Sequence, residues 1–129
     1  MASIFTKIIS GEIPSHKIHE NDKFIAFLDI NPLKAGHTLV VPKEEVDYIF
    51  DLPSDLLNEI LVFSKEVARK IESVVDCERI GISVIGLEVP HAHVHLIPIK
   101  SVSDMNFAKP KLDLDSGYMA ELAEKIRQA

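Results

Sequence analysis

Cysteine occurs once in this chain, at Cys77, so no disulfide can form within it and no oxidising compartment is needed. The neighbours Asp76 and Glu78 disfavour a thiolate there, which makes Cys77 an unremarked structural residue rather than a functional thiol. Basic residues are also scarce. Lys and Arg number 14 against 20 Asp and Glu, a formal charge of −6, which argues against nucleic-acid binding driven by clustered cations. One locally favourable site for a small phosphate-bearing ligand remains compatible with that balance. No stretch approaches the roughly 18 uninterrupted apolar residues that a membrane helix needs. The opening MASIFTKIISGEIP has neither a basic start nor a small-residue cleavage site, so the expectation is a soluble cytoplasmic protein. No Walker loop or Gly-rich dinucleotide fingerprint is present.

What is present suffices for one hydrophobic core. At 129 residues and 47% apolar composition, residues 1–129 form a single domain. A short first helix is expected in SIFTKIISGEIP, with Ser3 as cap and Gly11 at its end. Strands follow at 17–20 and 24–28, turning at Asn21 and Asp22, and a third begins at His37 in HTLVVPK. From Ser54 to about Val75 the period changes to three and four through Leu57, Ile60, Leu61, Ser64, Val67, Ala68 and Ile71, predicting one long amphipathic helix capped by Ser54. Leu56, Val62 and Phe63 lie outside that stripe and suit a second buried face, against a partner or the C-terminal segment. IGISVIG and HAHVHLIPI read as antiparallel strands joined by Gly86–Pro90, residues 101–117 as irregular, and Tyr118–Arg127 as a terminal helix. Connections this short preclude parallel crossovers. The fold class is therefore α+β, an antiparallel sheet of about five strands with one long helix and two shorter terminal ones.

Three of the six histidines, His91, His93 and His95, alternate within VPHAHVHLIPIK. In an extended strand they would share one face while Ala92, Val94 and Leu96 point to the other. Imidazole titrates near neutral pH, so such a row could supply a nucleophile, proton-transfer groups or metal ligands. His16 and His19 have no comparable context and read as surface or strand-edge residues.

The run His91-Ala92-His93-Val94-His95-Leu96-Ile97, together with IFTKIISGEIPSHKI, FIAFLDINPLKAGHTLVVPK and the long helix, resembles the histidine triad (HIT) family of nucleotide-binding hydrolases and transferases. The resemblance spans about 4–107, leaving 108–129 as an extension. It implies that His93 attacks the α-phosphorus of a nucleotide, that His95 neighbours the leaving group, and that His91 and His37 complete the phosphate site. It also implies a ribose-binding carboxylate, Asp29, and an apolar slot for the base formed by Phe5, Ile8, Ile13, Phe27 and Ile30. The expected ligand is a purine nucleotide or nucleoside phosphoramidate. A neutral imidazole is a competent nucleophile, and a covalent intermediate divides one difficult displacement into two.

Two departures from the family pattern stand out. Relatives that carry structural zinc use two cysteines, a histidine and the first triad histidine, whereas the matching positions here are Ser3, Thr6, Glu45 and His91. Zinc prefers N and S donors, so no metal or other cofactor is expected, and His91 should be free to serve the active site. The connection Gly86-Leu87-Glu88-Val89-Pro90 is shorter and less polar than the phosphate-lining loop of relatives, and Glu88 should point outward. The leading expectation is an enzyme acting at the α-phosphate of purine nucleoside phosphoramidates, adenylates or dinucleoside polyphosphates through a nucleotidyl-His93 intermediate. A non-catalytic nucleotide-binding protein is the alternative, and a metal-dependent hydrolase a further one. By resemblance the chain should be a homodimer, with neither nucleic acid nor membrane as partner.

Overall fold

The computed structural model describes residues 2–129. Its elements run α1 (Ile4–Ile9), β1 (Lys17–Glu20), β2 (Phe24–Leu28), β3 (Thr38–Pro42), α2 (Ser54–Glu72), β4 (Arg79–Ser83), β5 (Val94–Ile99) and α3 (Ser116–Gln128). All five strands join one sheet in the order β1-β2-β3-β5-β4, with every pairing antiparallel. This is the expected α+β arrangement.

Alternation along the central strands divides the interior in two. Phe24, Ala26 and Leu28 of β2, Val40 of β3, and Val94 and Leu96 of β5 enter a large core shared with α2 and α3. The intervening Ile25, Phe27, Leu39 and Val41 join Phe5 of α1 in a smaller core. Every residue of β2 and β3 is consequently buried, because α2 and α3 cover one side and α1 the other. His95 falls between Val94 and Leu96 and belongs to the face away from α2.

The long helix begins one residue differently from the expectation. Pro53 occupies the N-cap position without a side-chain bond, and Ser54 is the first helical residue. Its buried face consists of Leu56, Ile60, Phe63, Ser64, Val67 and Ile71, while Leu61 and Val62 are exposed. The stripe is therefore centred on the 56-60-63-67-71 row; Leu56 and Phe63 are core, and Leu61 is not. At the other termini, Ser3 caps α1 by accepting from the Thr6 N–H, and Asp115 caps α3 through the Gly117 and Tyr118 N–H groups. α3 starts two residues before the expected Tyr118 and buries Met119, Leu122, Ala123 and Ile126 as its spacing predicts.

Two corrections concern the regions beside the site. β5 starts at Val94, so His91 and His93 lie before the strand, not on it. The cause is local: the His91 N–H bonds the Val89 carbonyl and the Ala92 N–H bonds the Val46 carbonyl, which diverts the chain from the sheet ladder. The stretch after β5 contains an ordered 3₁₀ turn, Val102–Met105, closed by a capping box between Ser101 and Asp104. Beyond it the Leu112 N–H donates to the Pro32 carbonyl, strapping this segment across the loop between β2 and β3. Gly36 turns that loop into β3 at φ 96°, where a Cβ would meet Val75 and Pro98 side chains at 3.0 and 3.1 Å. No helix among the described residues is long and apolar enough to cross a membrane.

Candidate active site

A cavity of about 450 Å³ opens on the sheet face that carries α1. Phe5, Ile8, Ile13, Phe27 and Ile30 all line it, as do Asp29, His37, His93 and His95. Phe5 and Phe27 are buried and pack edge to face, whereas Ile30 stands on the rim at 68% exposure. The segment between β5 and α3 contributes Phe107 and Lys111, and the connection before the triad contributes Ile85 to Val89. Glu88, expected to point outward, is exposed yet belongs to the cavity wall.

Hydrogen bonds with only one possible direction determine the tautomers. The Leu33 N–H donates to His37 Nδ1 at 3.0 Å. A neutral His37 must then carry its proton on Nε2, which lies 2.9 Å from His95 Nδ1 and donates to it. That leaves the His95 proton on Nε2. Independently, His93 Nδ1 lies 2.8 Å from the His91 carbonyl, an acceptor only, so Nδ1 carries the proton and Nε2 holds the lone pair. Neither His93 Nε2 nor His95 Nε2 has a protein partner among the described residues, and their rings meet edge to face with centroids 5.0 Å apart. One nitrogen lone pair and one N–H donor are thus presented side by side. Burial pushes His37 down to about 3, with His95 and Lys111 adding to the effect, and His95 down to about 4, with His93 adding to it, so both rings stay neutral at physiological pH.

His91 does not line the cavity. Its fully buried ring donates from Nε2 to the Pro42 carbonyl at 2.7 Å, and Nδ1 accepts from the Ser3 hydroxyl at 2.7 Å. Phe5 stands between it and the site, 5.8 Å from the His91 ring and 4.9 Å from the His93 ring. Glu45 closes the cluster by accepting from the Ser3 N–H at 2.7 Å and the Thr6 hydroxyl at 2.6 Å. Those two bonds hold its carboxyl down at about 2. The four positions matched to the zinc site of relatives do converge, but as a hydrogen-bonded clasp. Two hydroxyls and a carboxylate, with both His91 nitrogens already engaged, do not suit zinc.

Asp29 accepts from the Asn31 N–H at 2.8 Å through one oxygen and places the other 3.6 Å from His37 Nε2. Burial raises its carboxyl above the ordinary aspartate value, with the Asn31 bond and the neighbouring His93 and Lys111 side chains opposing that rise. With His37 and His95 it gathers three potential ligand atoms within 4.8 Å of one another. The Leu33 N–H argues against a metal there. It requires Nε2 of His37 to keep its proton, which removes that nitrogen from the donor set.

Sequence reasoning missed Leu39, Phe107 and Lys111 as wall residues. Leu39 passed as ordinary core. Phe107 had one available signal, a lone aromatic in the polar, aperiodic stretch DMNFAKPK.

An apolar cavity ending in hydrogen-bonded imidazoles on an antiparallel sheet has the form of a small-molecule site. Comparison specifies the class further: the HIT domain model matches residues 10–102, and the chain belongs to the HIT family. A HIT-like protein of Borreliella burgdorferi is 35% identical, with 95% of this chain and 94% of that protein covered. Adenosine 5′-monophosphoramidase HNT1 of Candida albicans is 33% identical over 97% of this chain and 89% of its own. A zinc-bound histidine triad family protein of Mycobacterium smegmatis superposes with a TM-score of 0.85 at 26% identity, over 99% of this chain and 92% of that one.

Proposed function

We propose that this protein is a nucleotide hydrolase or transferase acting at the α-phosphate of purine nucleoside phosphoramidates, adenylates or dinucleoside polyphosphates, with His93 as the covalent nucleophile. The observation that carries this reading is the bond from His93 Nδ1 to the His91 carbonyl, which leaves Nε2 of this cavity-lining side chain with its lone pair and without a protein partner among the described residues. Attack would form an Nε2–P bond while the bond from phosphorus to the leaving group breaks and its electron pair departs on that group, an amine leaving with a proton taken up from solvent; water would then attack phosphorus, cleave the N–P bond, return that proton and regenerate His93. The N–H of His95 would donate a hydrogen bond to the leaving atom, its direction enforced through His37 from the Leu33 N–H. The base would occupy the slot of Phe5, Ile8, Ile13, Phe27 and Ile30, and Asp29 would accept from the ribose hydroxyls. Similarity to the phosphoramidase of Candida albicans supports the reaction class.

His93→Ala should lower kcat by on the order of 10³-fold or more while leaving nucleotide binding measurable. Mass spectrometry of wild-type protein quenched during turnover should find a nucleoside monophosphate adduct on the peptide containing His93. Full activity in the alanine variant would refute the nucleophile, and ligand binding without turnover in the wild type would favour the non-catalytic alternative.

The exposed Leu61 and Val62 of α2, with Ile82 of the edge strand β4 and Val84 just after it, support assembly as a homodimer.

A further inference from the structure

We infer that Lys111, held in place by the segment that follows β5, selects substrates whose leaving group is itself a phosphate; this rests on the reading of His93 as nucleophile. Among the described residues the cavity wall contains a single lysine or arginine, Lys111. Its place along the wall is set by Phe107, whose ring packs edge to face on His95 at 4.9 Å and on His37 at 6.1 Å. The Lys111 ammonium lies 5.9 Å from the centre of that same ring. The positive charge therefore stands beside Phe107, on the side of the cavity where Asp29, His37 and His95 converge.

The ammonium is positioned rather than loose. It donates to the Phe107 carbonyl at 2.6 Å and to the Lys109 carbonyl at 3.3 Å, leaving the third N–H for a ligand. The next residue is tied down through the Leu112 N–H to Pro32, and Lys34 reaches Asp104 at 3.6 Å earlier in the same segment. The connection from Ile85 to Val89 offers no cation, amide or hydroxyl side chain of its own. Its one charged group, Glu88, bears on Asp29, whereas the charge of Lys111 is felt at both Asp29 and His37.

The chemistry of the leaving group gives this charge a purpose. When His93 Nε2 bonds to the α-phosphorus of a dinucleoside polyphosphate, the P–O bond to the bridging oxygen breaks and its electron pair departs on that oxygen. A positioned ammonium offsets the charge that develops there. An amine leaves as a neutral molecule because its nitrogen takes up a proton as the P–N bond breaks, so it gains little from the ammonium.

The test compares kcat/KM for a dinucleoside tetraphosphate with kcat/KM for adenosine 5′-phosphoramidate in wild type, Lys111→Met, Lys111→Arg and Lys111→Glu. The ratio of polyphosphate to phosphoramidate should fall roughly 10- to 100-fold in the methionine variant, the range lost with a hydrogen bond to a charged group. It should fall further in the glutamate variant and recover most of its value in the arginine variant. An unchanged ratio in the methionine variant would overturn the inference, as would a uniform rise in KM for both substrates, which would put the ammonium on the nucleoside side. Turnover of both substrates with His93 carrying the nucleotide but no effect of Lys111 would leave the nucleophile standing and remove only Lys111. Absence of any nucleotide on His93 would remove both.

Discussion

His91 shows how far a residue can sit from the role its spacing suggests. It shares the alternation of His93 and His95, yet its ring joins Ser3 and Pro42 behind Phe5, and only its carbonyl oxygen reaches the site. His91→Ala would leave the Pro42 carbonyl without its donor, empty a fully buried volume and release the peptide that orients His93. A loss of about 2–4 kcal/mol in unfolding free energy is expected, together with a lower kcat, from denaturant titration and steady-state kinetics. Glu45 acts through the same clasp, so its removal should first appear as faster amide exchange in α1. The residue types of the site were legible because histidines at alternate positions, a carboxylate between apolar neighbours and a histidine after Ala-Gly are local patterns. Their division of labour was not. It depends on which backbone carbonyl or N–H stands beside each ring, and those groups come from the 29–37 loop, β3 and the segment before β5.

At the scale of elements, periodicity located the long helix and the strand segments, since burial on one side imposes a repeat that sequence displays. It failed where partners are not periodic. β5 begins three residues after His91 because the Val89 and Val46 carbonyls accept the His91 and Ala92 N–H groups. The segment from Ser101 to Asp115 has no repeat at all, yet it is ordered by a capping box and by Pro32, and it supplies Phe107 and Lys111 to the cavity. The outer face of α2 is a different matter. Leu61 and Val62 are 58% and 62% exposed and contribute nothing to either core. Under the dimer proposal, replacing both with glutamate should give a folded monomer by light scattering with an unchanged circular dichroism spectrum. A monomeric wild type at micromolar concentration would refute assembly through this face.

For the molecule as a whole, the buried imidazoles make stability depend on pH. His37 and His95 are held at about 3 and about 4, against the 6.5 of an exposed histidine. The unfolded chain therefore begins to bind protons below 6.5, while the native protein does not until far lower pH. Their contribution is complete above 6.5 and is lost progressively as pH falls toward about 4 and about 3. Each ring kept neutral should cost about 2 kcal/mol at about pH 5 relative to neutrality. The urea midpoint should decline over that interval with little change between about pH 7 and 8. A flat profile down to about pH 5 would contradict the burial of this pair.

The sheet strands that floor the cavity are buried on both faces, and Phe27 and Leu39 serve at once as cavity wall and as members of the smaller core. Under the proposed function, mutation there changes ligand fit and folding together, so drift in base preference through those positions would carry a cost in abundance. Ile30 and Leu87, exposed at 68% and 88%, touch the cavity without holding up the domain. Divergence of substrate range within a lineage of this protein should accumulate at that rim and along the strap carrying Lys111, while the floor stays as it is.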